Sequence, residues 1–237
     1  MRKAGAIVGQ ILVEIADLVK PGATTGDLDL FAQTRTKELG AKPAFKGYHG
    51  FPGTMCISVN EEVVHGIPSK KRVLKEGDIV GLDFGVVVDG WYGDSARTLP
   101  VGKVSADAMK LIDITEKSLY LGIEQTRPGN HLFDIGHAVQ NFVESFGFSV
   151  VREFVGHGIG RSLHEDPQVP NFGVKGKGML LKPGMVIAIE PMINAGKPEV
   201  KVLGDGWTAV TADRKLSAHF EHTIAITEDG YDILTKV

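Results

Sequence analysis

Two aspartates, Asp83 and Asp94, lie on strand-like runs either side of Asp89-Gly90, the dipeptide that best marks a two-residue hairpin turn. With Asp89 and Gly90 as the turn, Asp83 faces Ala96 and Asp94 faces Gly85. Both carboxylates then leave the same face as diagonal neighbours, their backbones roughly 7 to 8 Å apart. Two anions side by side repel unless a cation lies between them. Two unrelated aspartates on a solvated face would show the same spacing, and the hairpin alone does not choose.

A repeat strengthens the cation reading. At a constant offset of 107, Pro21-Gly22 maps to Pro128-Gly129, Asp27-Leu28 to Asp134-Ile135, Lys75 to Lys182 and Gly77 to Gly184. The same offset carries Asp83 onto Glu190, so carboxylate falls on carboxylate. Glu221, in Ala218-His219-Phe220-Glu221-His222-Thr223, suits the partner of Asp94 if the second hairpin is 20 residues longer, its extra length holding a turn at Gly204-Asp205-Gly206-Trp207.

The elements that must position these acids follow from periodicity. Ile7, Ile11, Leu12, Ile15, Leu18 and Val19 predict a helix up to Pro21-Gly22. Thr25 can cap a second helix with Leu28, Phe31, Ala32 and Leu39 as its stripe and Gly40 as its stop. A Gly- and aromatic-rich loop over residues 42–54 precedes a short strand at residues 56–59. Ser105 can cap a helix carrying Met109, Ile112 and Leu119, and a further helix bears Ile135, Val139, Phe142 and Val143 before Gly147. The expected object is an α+β fold of 237 residues in one catalytic domain, with pseudo-repeat halves of about 1–106 and 107–237. Each half supplies two helices and a hairpin; the hairpins join into one antiparallel sheet, and the acids converge on its open face.

Between the halves, Gly156-His157-Gly158-Ile159-Gly160 brackets a histidine with glycines that allow close backbone approach, which adds His157 to the four acids. A surface loop with incidental histidines is the plainer reading of that segment. Four ionised carboxylates carry four negative charges, which two divalent cations neutralise and one does not. Mixed carboxylate and imidazole ligation suits Mn, Fe, Co or Zn. Paired ions of this kind activate water and polarise a carbonyl, as amide hydrolysis requires.

Composition narrows the context. A net charge of −3 gives no footprint for nucleic acid or an anionic membrane. No apolar run reaches membrane-spanning length, and the N-terminus reads as an amphipathic helix rather than a signal peptide. The single Cys56 excludes an internal disulfide or thiolate cluster and points to a reducing cytoplasm.

Several stretches together resemble the type I methionine aminopeptidases, metallopeptidases of the pita-bread fold. They are Gly47-Tyr48-His49-Gly50-Phe51-Pro52, Val63-Val64-His65-Gly66-Ile67-Pro68, Asp83 with Gly93-Asp94-Ser95, Gly156-His157-Gly158-Ile159-Gly160, His164-Glu165-Asp166-Pro167-Gln168-Val169-Pro170, Ile189-Glu190-Pro191-Met192 and Phe220-Glu221-His222-Thr223. The resemblance implies two divalent ions held by Asp83, Asp94, His157, Glu190 and Glu221, with Glu190 also the general base. It implies His65 near the substrate amine and scissile nitrogen, and His164 holding the carbonyl oxygen. It places Phe45, Tyr48, Phe51, Cys56, Leu163 and Trp207 around a methionine side chain. Phe51 and Leu163 stand where relatives often have Tyr and Phe, and Phe45 where some have Cys, which alters the slot's shape and keeps it apolar. His131 and His137 match no site residue and read as helix-surface histidines, while His219 and His222 flank a ligand.

The implied activity is removal of the N-terminal methionine before a small second residue, from nascent polypeptides at the ribosome, by a cytoplasmic monomer. Relatives carry a short lead-in before Met1-Arg2-Lys3-Ala4-Gly5, so the first helix is expected to lack its usual cap. A prolidase would share the five ligands, and a metal-free binding protein of the same fold would lack some of them.

Overall fold

A computed structural model describes residues 1–236. Helix α1 (Arg2–Ala16) buries Ile7, Ile11, Leu12 and Ile15, and its N-cap Met1 makes no side-chain capping bond. It stops short of Pro21, and Leu18 and Val19, expected on the helix, pack against the same core from the turn that follows. Helix α2 (Thr25–Glu38) is capped by Thr24 rather than Thr25: the Thr24 hydroxyl oxygen accepts the Asp27 N–H at 3.1 Å. Tertiary contact decides between the two threonines, because the buried Thr25 hydroxyl is engaged by the Ser69 backbone.

After strand β1 (Lys42–Pro43), a 3-10 turn (Tyr48–Gly50), β2 (Cys56–Val59) and β3 (Glu62–Val64) comes the central hairpin, β4 (Ile79–Val88) and β5 (Trp91–Pro100). Its register pairs Asp83 with Ala96 and Gly85 with Asp94, as the turn chemistry requires. Asp89 (φ 52°) and Gly90 (φ 76°) both take the left-handed conformation of a turn that matches strand twist. Val80, Leu82, Phe84, Val86 and Val88 pack in the core beneath α1 and α2, so the odd-numbered Asp83 leaves the opposite face.

The second half repeats this plan with an interruption. Ser105 caps α3 (Ala106–Ile123), its hydroxyl oxygen accepting the Ala108 N–H at 3.1 Å. Met109, placed on the apolar stripe by periodicity, is 39% exposed, because the packed face runs through Ala108, Leu111, Ile112 and Thr115 instead. Helix α4 (Leu132–Glu144), β6 (Ser149–Val150), β7 (Gly156–Gly158), β8 (Glu165–Val169) and β9 (Val186–Ile189) follow. The chain then leaves the sheet through β10 (Met192–Asn194), β11 (Val200–Val202), β12 (Ala209–Thr211) and β13 (Ser217–His219), and returns as β14 (Glu221–Thr227) and β15 (Gly230–Ile233).

The second pair of arms is therefore β9 with β14, registered His222 to Ile189, but it is not one long hairpin. Pro191, with no N–H to donate, follows Glu190 where β9 ends. The turn at residues 204–207 joins β11 to β12 in a small sheet with β3, its Asp205 carboxylate accepting the Trp207 and Thr208 N–H groups.

Among the described residues the main sheet has nine strands, ordered β1-β4-β5-β14-β9-β7-β8, with β2 beside β4 and β15 beside β14. The halves meet where β5 pairs β14, through two residue pairs, Ala96 with Glu221 and Ser95 with His222. Side chains complete this seam. Thr223 Oγ1 accepts the Asp94 N–H at 3.0 Å and donates to the Asp94 carbonyl at 2.7 Å, and Thr98 Oγ1 serves the His219 N–H and C=O in the same way at 2.9 Å each.

Replacing Thr223 by Val keeps the shape and strands two buried backbone groups of Asp94. Each unpaired group costs about 1–3 kcal/mol, so urea unfolding of Thr223→Val should show a loss in that range or above. An unchanged midpoint would mean that the seam does not rely on this hydroxyl.

Candidate metal centre

The alternation of the strands delivers five side chains to one face. Asp83 comes from β4, Asp94 from β5, His157 from the middle of β7, Glu190 from the residue after β9 and Glu221 from the first residue of β14. Asp94, His157 and Glu221 each offer a ligand atom lying within 4.8 Å of the others, and all three are buried. His157 Nε2 stands 3.6 Å from Glu190 Oε1. The acids of the first half are diagonal neighbours, as the hairpin predicts. In the second half, extending the β9–β14 register would set Glu190 directly opposite Glu221.

The donors fit a cation. Asp83 Oδ1, Asp94 Oδ1 and Glu221 Oε1 are buried and accept no hydrogen bond from the described residues. Buried carboxylate oxygens with no donor are costly unless a cation answers them. His157 Nδ1 lies 2.8 Å from the Gly158 carbonyl, which can only accept, so Nδ1 carries the proton and Nε2 presents its lone pair to the acids. The flanking glycines serve strand packing more than approach to the site. A Cβ on Gly156 would lie 2.3 Å from the Ala188 carbonyl oxygen, and one on Gly158 2.2 Å from that of Asp166.

Electrostatics agree. Burial raises the Asp94 carboxyl to about 7. Burial and the Asp94 charge push Asp83 well up, and burial with the neighbouring acids does the same to Glu190 and Glu221. Burial, with help from His164, holds His157 and His65 down to about 4, so both imidazoles are neutral donors near pH 7. Neutral nitrogen and carboxylate oxygen around a charge deficit are the donor set of a divalent transition-metal site.

Beside the acids opens a cleft of about 310 Å³ that takes in every residue singled out from the sequence: the five above, His65, His164, Phe45, Tyr48, Phe51, Cys56, Leu163 and Trp207. Phe45, Phe51, Cys56 and Leu163 are buried in one apolar cluster, with Tyr48 and Trp207 packed against it. Phe51 meets Trp207 edge to face at 5.2 Å, and Cys56 pairs with Asp83 across β2 and β4. His49 and Val64, next to Tyr48 and His65, and Phe154 and Val155, a little before His157, also line the cleft and were not anticipated.

His65 sits at φ 61° with its ring 5.4 Å from Phe154. His164 lies edge to face with His157 at 4.3 Å, and its Nδ1 is 2.8 Å from the Tyr48 hydroxyl. The outer histidines divide. His219 faces Glu190, whereas His222 points to the helix side, 2.8 Å from the Thr235 hydroxyl and packed on Tyr120. His131 is the N-cap of α4 rather than a residue of its surface, and His137 reaches the Gly173 carbonyl at 3.3 Å.

Known proteins resemble this chain along its whole length. The profile of metallopeptidase family M24 matches residues 1–228. Methionine aminopeptidase 1 of Bacillus subtilis (strain 168) is 57% identical over 237 residues, spanning 100% of this chain and 95% of that one. The crystal structure of the methionine aminopeptidase of Thermotoga maritima superposes with a TM-score of 0.99 at 50% identity, covering 100% of this chain and 95% of that one. The prolidase of Pyrococcus furiosus shares the fold at a TM-score of 0.80 and 22% identity, this chain covering 63% of it.

The charge pattern sets a pH signature for chelator-stripped protein. In the unfolded chain carboxylates titrate near 4 and imidazoles near 6.5. The folded acids, raised by burial, keep protons that the unfolded chain has released. The folded histidines, lowered by burial, release protons that the unfolded chain keeps. These effects oppose each other below about pH 6.5, and above it only the carboxylate effect remains, so stability falls as pH rises. Melting temperature of stripped protein should therefore drop between about pH 6.5 and 8, while protein loaded with Mn²⁺ should hold steady. A flat profile for the stripped protein would mean that the acids tolerate one another without a cation.

Proposed function

The chain belongs to metallopeptidase family M24, and from that premise we propose that it is a methionine aminopeptidase, hydrolysing the peptide bond that follows an N-terminal methionine. The observation that carries this reading is the juxtaposition of buried carboxylates lacking donors among the described residues with a largely apolar cleft of about 310 Å³. The 57% identity to a methionine aminopeptidase supports it.

In this reading Asp83, Asp94, His157, Glu190 and Glu221 hold two divalent cations of the Mn, Fe, Co or Zn type. When bound, these supply Lewis acidity that lowers the pKa of a water and polarises a carbonyl. The residues of the chain do the rest. Phe45, Tyr48, Phe51, Cys56, Leu163 and Trp207 take the methionine side chain, whose burial is worth roughly 1.5–3 kcal/mol. A Glu190 carboxylate oxygen takes the proton of the attacking water and passes it to the departing amide nitrogen. His65 stands beside the substrate amine and that nitrogen. His164 donates an N–H to the carbonyl oxygen as charge develops on it. A small second residue is favoured because a bulky one would meet the cleft rim. The substrates are the N-termini of nascent polypeptides, and the enzyme works as a cytoplasmic monomer built on one catalytic domain. No helix among the described residues is long and apolar enough to cross a membrane.

The test is hydrolysis of Met-Ala-Ser beside Gly-Pro-Ala by metal-stripped protein, with and without added Mn²⁺ or Co²⁺. Cleavage of the methionyl bond alone, and only with metal, is expected. Asp94→Asn should lower it by more than about 100-fold, since groups that merely support a ligand already cost 10–100-fold. Cleavage before proline would move the protein to the prolidase branch. Tight metal binding with neither peptide cut would remove the peptidase reading.

A further inference from the structure

His219 is a buried histidine that the proposed chemistry leaves unused. Its side chain is 4% exposed, and its Nε2 has no hydrogen-bond partner among the described residues. Its backbone is pinned at both ends: the N–H donates to Thr98 Oγ1 and the C=O accepts from the same hydroxyl. Strand β13 pairs His219 with Met192, two residues beyond Glu190, so the imidazole is held against the Glu190 carboxylate. Nε2 lies 3.8 Å from Glu190 Oε2, while the other oxygen, Oε1, lies 3.6 Å from His157 Nε2. Each oxygen of Glu190 thus faces a different histidine.

The two histidines differ in what they can offer. His157 Nδ1 is committed to the Gly158 carbonyl, which leaves Nε2 without a proton and directed at the acids. Among the described residues His219 has no such backbone bond on its other nitrogen, so its Nε2 is free to carry the proton. Where no cation stands between imidazole and carboxylate, a proton on Nε2 is the favourable choice, because a bare lone pair there would face an anion across a buried gap. At 3.8 Å the pair stands about 1 Å beyond hydrogen-bond length, so donation requires the two side chains to draw together by that amount.

We propose that His219 is a positioning residue for Glu190, donating its Nε2–H to Oε2 and so reserving Oε1 for the cation side next to His157. This rests on reading Glu190 as a cation ligand. Carboxylate ligands held by a second group keep one orientation and bind metal more tightly than free ones.

Isothermal titration of stripped protein with Mn²⁺ tests this without reference to turnover. His219→Leu removes the donor, and Mn²⁺ affinity should fall about 10–100-fold. His219→Gln, whose amide N–H can reach the same oxygen, should recover most of it. If His219→Leu fails to fold by circular dichroism, His219→Asn takes its place: it keeps an amide but is one methylene shorter than Gln, and should bind as weakly as the donor-less variant. Equal affinity in wild type and the donor-less or short variant overturns the proposal. Glu190→Gln separates the two claims, since unchanged Mn²⁺ affinity there would sink the reading of Glu190 as a ligand, whatever His219 does. Nitrogen-15 NMR of His219 at pH 7.5 should find the proton on Nε2. A proton on Nδ1 with a bare Nε2 would overturn the donor role.

Discussion

Four carboxylates crowd one face of a sheet, and their mutual repulsion is the constraint that the rest of the molecule answers. Isolated, each would be solvated or protonated. Here Asp94 and Glu221 are almost wholly buried, and oxygens of Asp83, Asp94 and Glu221 meet no donor among the described residues. Such an arrangement persists only if the backbone carrying it is held from elsewhere. Two apolar cores do this, one beneath α1 and α2 and the other beneath α3 and α4.

Strand alternation is what keeps apolar core and acidic face apart. On β4 the even residues enter the core and Asp83 does not; on β14 Ile224 and Ile226 enter it while Glu221 and Thr223 turn away. Neighbours can therefore have opposite fates. Glu221 joins the acids, and His222, one residue on, packs against Tyr120 on the helix side. A one-residue slip in either strand would bury the acids among leucines and isoleucines, so register is strongly specified. The seam between β5 and β14 adds the last degree of alignment, with threonine hydroxyls replacing ladder bonds that two residue pairs cannot supply.

The cleft is built from a different kind of element. The walls of the cleft come from segments remote in sequence: the turn around Tyr48 and Phe51, strand β2 at Cys56, the loop bearing Leu163 and His164, and the excursion carrying Trp207. The excursion that follows Pro191 and breaks the second hairpin carries Trp207, which packs on Phe51. What the repeat reads as a longer hairpin is thus a separate small sheet that closes one side of the cleft.

Much of this was legible in the residues themselves. Asp89-Gly90 determined a hairpin register and hence a shared face for Asp83 and Asp94, because turn geometry and strand parity are local. The offset of 107 carried that result to Glu190, because duplicated halves repeat their local physics. Choices that depend on distant partners were not legible. Thr24 caps α2 in place of Thr25 because Ser69 claims the second hydroxyl, and Met109 stays exposed because neighbouring residues face the core. Likewise, the β9–β14 register, if extended past Ile189, sets Glu190 opposite Glu221 rather than diagonal to it, and His219 rather than His222 faces Glu190, because the returning strand's register is decided across the sheet. The sequence by itself determined which groups the chain has for chemistry and which of them share a strand face. Only the tertiary structure decided how near they come and which of their atoms are left without a partner, since both depend on packing between segments far apart in the chain.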